Sequence, residues 1–330
     1  MQKLFFLFAI PFFFLSCTDD ATEATDTFYV RNEGADMPVW VRGNLDSGKI
    51  ILYVHGGPGD CAMCYRYYLK GMESEVAVVY WDQRIAGSAS GNVDPKTLNY
   101  EQYTEDAFYV VSLLRQQYPG KKIYLMGHSF GVEVTWQFLT TNDNQSMVAG
   151  ALIVNGTFSN YRWMDVMRDW VIREATEQSN AKALSFAEEN PVTKENIQEL
   201  DWVGYYRHML DLGGNELSLF SNKKFLINYA LFTPNTTLAQ FSHGKGYENY
   251  FDFEMLNYDT SDKLDMIDIP VAFLWGKKDG VVPIEIGYET EALLVNTTVD
   301  WTIFDDSWHE PFVSENEKFL EAALKFIREN

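Results

Sequence analysis

The sequence predicts an α/β fold in which a mostly parallel central sheet is flanked by helices and carries an inserted helical cap. Three observations lead there. Short runs of Val, Ile, Leu, Tyr and Phe recur along the chain and stop at turns rich in Gly, Pro or Asp, as strands buried on both faces of a parallel sheet do. One run leads into a serine set between glycines and then straight into an apolar helix. Between two later runs lies a long insertion rich in Met, Trp and Tyr, with helical patterning and no strand of its own.

Lys49 to Val54 is the first of these strands, and it ends in His55-Gly56-Gly57-Pro58-Gly59. Three glycines and a proline in five residues leave little side-chain bulk, so backbone N–H groups can face a cavity. Negative charge developing on a carbonyl oxygen needs preorganised donors of that kind. Helix Tyr100 to Tyr118 carries apolar residues at 107, 108, 110, 111, 113 and 114 and stops at Pro119-Gly120, so it packs on the sheet. Strand Lys122 to Met126 then runs into Gly127-His128-Ser129-Phe130-Gly131, and Val132 to Thr141 follows as a helix without Pro or Gly. Strand, tight turn and helix form the context of a nucleophile elbow, with Ser129 at its apex. The N–H groups of Gly57 and of Phe130, the residue after the serine, are the expected oxyanion hole. Glu133, early in the elbow helix, is expected to be paired or at the helix edge.

An acid and a base follow. Strand Val271 to Trp275 leads into Gly276-Lys277-Lys278-Asp279, and strand Trp301 to Phe304 leads through Asp305 and Asp306 to His309. The chain order Ser129, Asp279, His309 is that of the α/β-hydrolase triad and differs from the orders found in chymotrypsin and subtilisin. In that chemistry His309 takes the serine proton, Asp279 fixes the imidazole tautomer, and water hydrolyses an acyl-enzyme on Ser129. Asp305 and Asp306 read as turn formers. His208 and His243 lie away from strand ends, while His55 and His128 read as structural neighbours of the site.

Three stretches, His55 to Gly59, Asp82-Gln83-Arg84-Ile85-Ala86-Gly87-Ser88 and Gly127 to Gly131, resemble the prolyl aminopeptidases (proline iminopeptidases) of the α/β-hydrolase fold. The similarity spans nearly the whole chain after the leader. It departs at Ile85, where the family has glycine in D-Q-R-G-x-G-x-S, and at His128 and Phe130, where its elbow reads G-G-S-W-G. The resemblance implies release of N-terminal residues, proline by preference, with cap carboxylates receiving the free amine. The W-x-x-W-E segment near which those carboxylates lie is absent, and Glu174, Glu177, Glu216, Glu248 and Glu254 are all available in the cap. An esterase or lactonase on the same triad is the alternative, since an acyl-enzyme serves amides and esters alike. An inactive surface binding protein is the third reading, weakened by the complete triad. Serine at position 129 argues against epoxide hydrolase and haloalkane dehalogenase chemistry, which uses aspartate there.

The expected organisation is a leader over 1–17, a tether over 18–27 rich in Thr, Asp and Glu, a core over 28–155 and 267–330, and a helical cap over 156–266. Cap helices are expected at Met164 to Gln178 and Lys194 to Met209. Trp163, Trp170, Trp202, Tyr205, Tyr206, Tyr247, Tyr250 and Phe251 are divided between packing and a pocket wall. The leader is a basic start followed by an apolar run from Leu4 to Leu15, too short to span a bilayer comfortably. Its end, Phe14-Leu15-Ser16-Cys17, resembles a bacterial lipoprotein signal, which implies export and a lipid anchor on Cys17. A formal net charge of −21 excludes a basic nucleic-acid or anionic-lipid surface, leaving that lipid as the membrane contact. Cys61 and Cys64 form C-x-x-C without a second pair, against structural zinc; in an exported chain they are a local disulfide or two buried thiols. No phosphate-loop, dinucleotide or H-E-x-x-H motif implies a cofactor. The expected partner is a small peptide or ester substrate.

Overall fold

A computed structural model describes residues 23–215 and 256–330, with residues 223, 226, 227 and 229 between them. Its strands are β1 (Glu23–Ala24), β2 (Thr27–Asn32), β3 (Ala35–Asn44), β4 (Lys49–Val54), β5 (Ala77–Trp81), β6 (Ser90–Gly91), β7 (Lys122–His128), β8 (Gly150–Val154), β9 (Val271–Gly276) and β10 (Val299–Phe304). They form one sheet in the order β1-β3-β5-β4-β7-β8-β9-β10, with β2 and β6 also pairing to β3. From β5 to β10 every pair is parallel, and only the N-terminal edge is antiparallel.

Side-chain alternation along the strands feeds two cores. Ile50, Leu52 and Val54 of β4 pack on one face with helices α2 (Tyr100–Gln117) and α3 (Phe130–Leu139). Ile51 and Tyr53 pack on the other with α1 (Ala62–Leu69). Each such side chain contributes roughly 1.5–3 kcal/mol on burial, which makes a one-residue slip of β4 prohibitive. The chain leaves β4 for β5 on one side and reaches β7 on the other, so the order reverses at β4 and β7. Crevices at such reversals, beyond the carboxyl ends of the strands, are where ligands bind in open parallel sheets.

The insertion between β8 and β9 begins with α4 (Asn160–Glu177), α5 (Ala181–Glu189) and α6 (Trp202–Asp211). Helix α4 starts four residues earlier than expected because Ser159 caps it. The expected helix from Lys194 starts only at Trp202. Thr193 and Asn196 bond reciprocally through side chain and backbone, at 2.8 and 3.2 Å, holding that stretch in a turn, and Asp201 accepts from Gly204 N–H at 2.8 Å as the true N-cap. The tether is also shorter than expected, since Glu23 and Ala24 pair with Asn44 and Gly43. The remaining helices are α7 (Ile284–Leu293), α8 (Pro311–Ser314) and α9 (Asn316–Glu329). Among the described residues no helix is long and apolar enough to cross a membrane.

Glu133 is buried beneath the start of the insertion. Tyr100 donates to its carboxyl group, and the Tyr258 hydroxyl donates to its backbone carbonyl at 3.0 Å. Burial pushes its pKa up to about 8, against an ordinary 4.5, so the folded protein holds a proton that the unfolded chain releases. Stability from this group is therefore full below pH 4.5 and is lost as pH rises through 8, by roughly 3–5 kcal/mol. Glu133→Gln is expected to flatten the fall in melting temperature between pH 5 and 8. Parallel pH profiles for the two proteins would contradict the assignment.

Candidate active site

The elbow is built by backbone constraint. Ser129 has φ 53° and ψ −125°, a region that a side-chain-bearing residue enters only when its surroundings force it. A Cβ at Gly131 would lie 2.0 Å from the Val54 carbonyl oxygen, so only glycine lets α3 approach the end of β4. Phe130 is the first residue of α3, where a backbone N–H has no acceptor within the helix. Gly57 has φ 120°, and a Cβ there would meet the Gly59 nitrogen at 2.5 Å, so its turn also accepts glycine alone. The two expected oxyanion donors thus lie on the facing ends of β4 and β7, which are adjacent strands.

Asp279 and His309 meet from different loops: His309 Nδ1–H donates to Asp279 Oδ2 at 2.9 Å, with both residues buried. The aspartate is saturated. Its Oδ1 accepts from the N–H groups of Val281 and Val282 at 2.8 and 3.1 Å, and Oδ2 also accepts from Asn155 Nδ2 at 2.6 Å. Four donors fix the carboxylate, which fixes the ring, leaving His309 Nε2 with the lone pair. Burial by itself lowers the basicity of His309. The charge and hydrogen bond of Asp279 and the nearby Glu310 and Asp60 carboxylates outweigh it, holding the imidazole above its ordinary value. Ser129, Asp279 and His309 follow β7, β9 and β10, all at the carboxyl edge of the sheet. Among the described contacts Ser129 Oγ has no hydrogen bond.

Several positioning residues carried no role in the sequence. Asn155, at φ 44°, directly follows β8 and uses its side chain on Asp279, on the Gly276 N–H at 3.2 Å and on the Trp308 carbonyl at 3.4 Å. The Asp82-Gln83-Arg84 segment braces the glycine loop. His55 Nδ1–H donates to the Gly56 carbonyl at 2.7 Å, so its Nε2 is free to accept from Gln83 N–H at 3.1 Å, and Gln83 Nε2 donates back to the His55 carbonyl at 2.8 Å. Burial lowers the pKa of His55 to about 4, which keeps this neutral tautomer at working pH. Asp82 accepts from Ala62 N–H at the start of α1 and from Ser88 N–H, each at 2.7 Å. Arg84 forms a buried two-bond pair with Asp106 at 2.6 and 2.8 Å.

The alternatives for the cysteines resolve to a disulfide, Cys61 to Cys64, with Cα atoms 5.7 Å apart at the start of α1. Of the aromatic residues, Trp170 and Tyr205 are buried packing, and Trp163 is anchored through its indole N–H to the Val281 carbonyl. Tyr247, Tyr250 and Phe251 lie outside the described residues, as do Glu216, Glu248, Glu254, His243 and Cys17. Glu174 pairs with its neighbour Arg173 at 3.4 Å and Glu177 is exposed. Asp305 and Asp306 make surface pairs with Lys277 and Lys278, both 2.8 Å. His208 is buried against Phe186, ring centroids 4.7 Å apart.

A family model described as alpha/beta hydrolase fold matches residues 49–315. The chain belongs to this family. Its relatives include a probable aminopeptidase, YbaC, of Bacillus subtilis, 25% identical over 296 residues, which cover 84% of this chain and 89% of that one. A proline iminopeptidase of Clostridium botulinum is 22% identical over 283 residues, covering 86% and 90%. Among solved structures, a Rhodococcus esterase shares the fold at a TM-score of 0.61 and 16% identity, covering 93% and 98%. The chain is thus an α/β hydrolase with aminopeptidase-like relatives, on a scaffold that esterases also use.

Proposed function

We propose that this protein is an exported serine hydrolase that releases N-terminal residues, proline by preference, from short peptides. The observation that carries the reading is the Asp279 to His309 hydrogen bond at the carboxyl edge of the sheet, where a serine strained at the elbow apex also stands. Ser129 Oγ attacks the scissile carbonyl while His309 Nε2 takes its proton. The N–H groups of Gly57 and Phe130 stabilise the oxyanion, and His309 then passes the proton to the leaving amine. Water, activated by the same imidazole, hydrolyses the acyl-enzyme. The helical insertion acts as a cap over this edge of the sheet, and the aminopeptidase-like relatives support a peptide substrate. An esterase or lactonase remains the second reading, favoured by the fold shared with the Rhodococcus esterase.

Blocking the substrate amine separates the two. A peptidase that seats a free ammonium loses a charge-assisted contact of roughly 1.5–3 kcal/mol on acetylation, so kcat/KM for acetyl-prolyl arylamide is expected about ten-fold or more below that for prolyl arylamide. Equal rates, or short acyl esters turned over far faster than either, would replace the peptidase reading by the esterase one.

Export rests on the apolar leader and on Cys17. Cys17→Ser is expected to move the protein out of the detergent-extracted membrane fraction, because the thiol is the acylated group. Unchanged fractionation with normal processing would assign an ordinary secretory leader.

A further inference from the structure

One buried group near the triad takes no part in the chemistry above. His128 precedes the serine and is 2% exposed, and its Nε2 lies 3.0 Å from the His309 carbonyl oxygen. A carbonyl only accepts, so Nε2 carries the hydrogen and Nδ1 the lone pair. That Nδ1 is buried and has no hydrogen-bond partner among the described residues. The side against it is kept open by Gly56, where a Cβ would stand 3.3 Å from Nδ1. A buried acceptor without a donor asks for a ligand.

Two further donors of electron pairs lie beside the His128 ring. Ligand atoms of His128, His309 and Glu310 all lie within 4.8 Å of one another. His309 offers Nε2, since its Nδ1–H is committed to Asp279. We infer that His128, His309 and Glu310 form an inhibitory site for a divalent transition-metal ion, Zn²⁺ above all. Two imidazoles and one carboxylate are a borderline-soft set that suits Zn²⁺ and disfavours Ca²⁺ or Mg²⁺, which prefer oxygen alone. Bonds of about 2.0–2.2 Å require the three donors to draw together when the ion binds. A bound ion takes the lone pair with which His309 accepts the serine proton, so loading the site stops acyl transfer reversibly. The site would tie turnover to free metal in the surrounding medium.

Metal binding stands without the hydrolase reading; only the loss of turnover rests on it. The test uses tag-free protein treated with EDTA. Calorimetric titration with Zn²⁺ alone should give one ion per chain, and Co²⁺ should produce the visible absorption of a low-symmetry nitrogen and oxygen site. Zn²⁺ should also slow fluorophosphonate labelling of Ser129, with recovery on adding EDTA. Glu310→Gln should weaken Zn²⁺ binding by at least about ten-fold, with the labelling of each variant compared with its own metal-free rate. His128→Gln should weaken binding comparably, and circular dichroism would show that it remains folded. No saturable binding below millimolar Zn²⁺, or equal affinity in wild type and Glu310→Gln, would overturn the site. Binding that responds to both substitutions while labelling is unaffected would overturn the inhibitory role.

Discussion

Ser129→Ala is expected to lower turnover of every substrate by about four orders of magnitude or more while the protein stays folded. The effect is large because the hydroxyl is the group that forms the covalent bond, and no neighbouring side chain can replace it. The fold should tolerate the change: Ser129 is the N-cap of α3 but its side chain caps nothing, and its backbone N–H bond to the Val154 carbonyl at 3.0 Å is kept. Alanine at φ 53° costs no more than serine there, since both carry a Cβ. Stopped assays on prolyl arylamide and on a short acyl ester, with a melting curve beside them, check both halves. Turnover near that of wild type would remove the acyl-enzyme mechanism for peptide and ester alike.

The largest stability effect is expected at the Arg84–Asp106 pair, in which neither side chain has any solvent exposure. Besides Asp106, Arg84 donates to Thr97 Oγ1 at 2.7 Å, and Asp106 also accepts from Asn32 Nδ2 at 2.9 Å. Asp106→Ala removes the countercharge and leaves a guanidinium in the interior, a loss of about 3–5 kcal/mol. For a domain of this size that corresponds to a fall of about 10 °C in melting temperature. Replacing both partners with apolar residues, Arg84→Met with Asp106→Leu, should recover most of the loss, because the cost comes from the unpaired charge. A single variant within 1 kcal/mol of wild type by denaturant titration would show that water reaches the pair.

These two sites also mark what could be read in the sequence and what could not. The places of Ser129 and Asp279 were legible because each follows an apolar strand buried on both faces, a pattern that leaves little ambiguity about where the strand ends. Lys49–Val54 falls on its expected bounds for that reason. His309, by contrast, follows the half-buried edge strand β10 and was reached through the chain order. Helix ends were less legible, because caps decide them: Ser159 and Asp201 moved two starts by four and eight residues. Asn155 was missed, although an asparagine directly after a strand, at a position needing a left-handed backbone, is a usable signal. Gln83 and Arg84 were visible only as a family-like motif. Their partners, His55 and Asp106, lie 28 and 22 residues away, and no local pattern announces such pairing. The lone pair on His128 depends on a carbonyl 181 residues away, so it belongs to the tertiary structure alone.

The central claim, that Ser129 is the activated nucleophile, is tested most directly by fluorophosphonate labelling followed by peptide mass spectrometry. The account predicts one adduct per chain, on the peptide that contains Ser129, with activity lost in proportion to labelling. Labelling of wild type should also be far faster than labelling of His309→Ala, which retains the serine but lacks the base. An adduct on another residue, or full activity in stoichiometrically labelled protein, would contradict it.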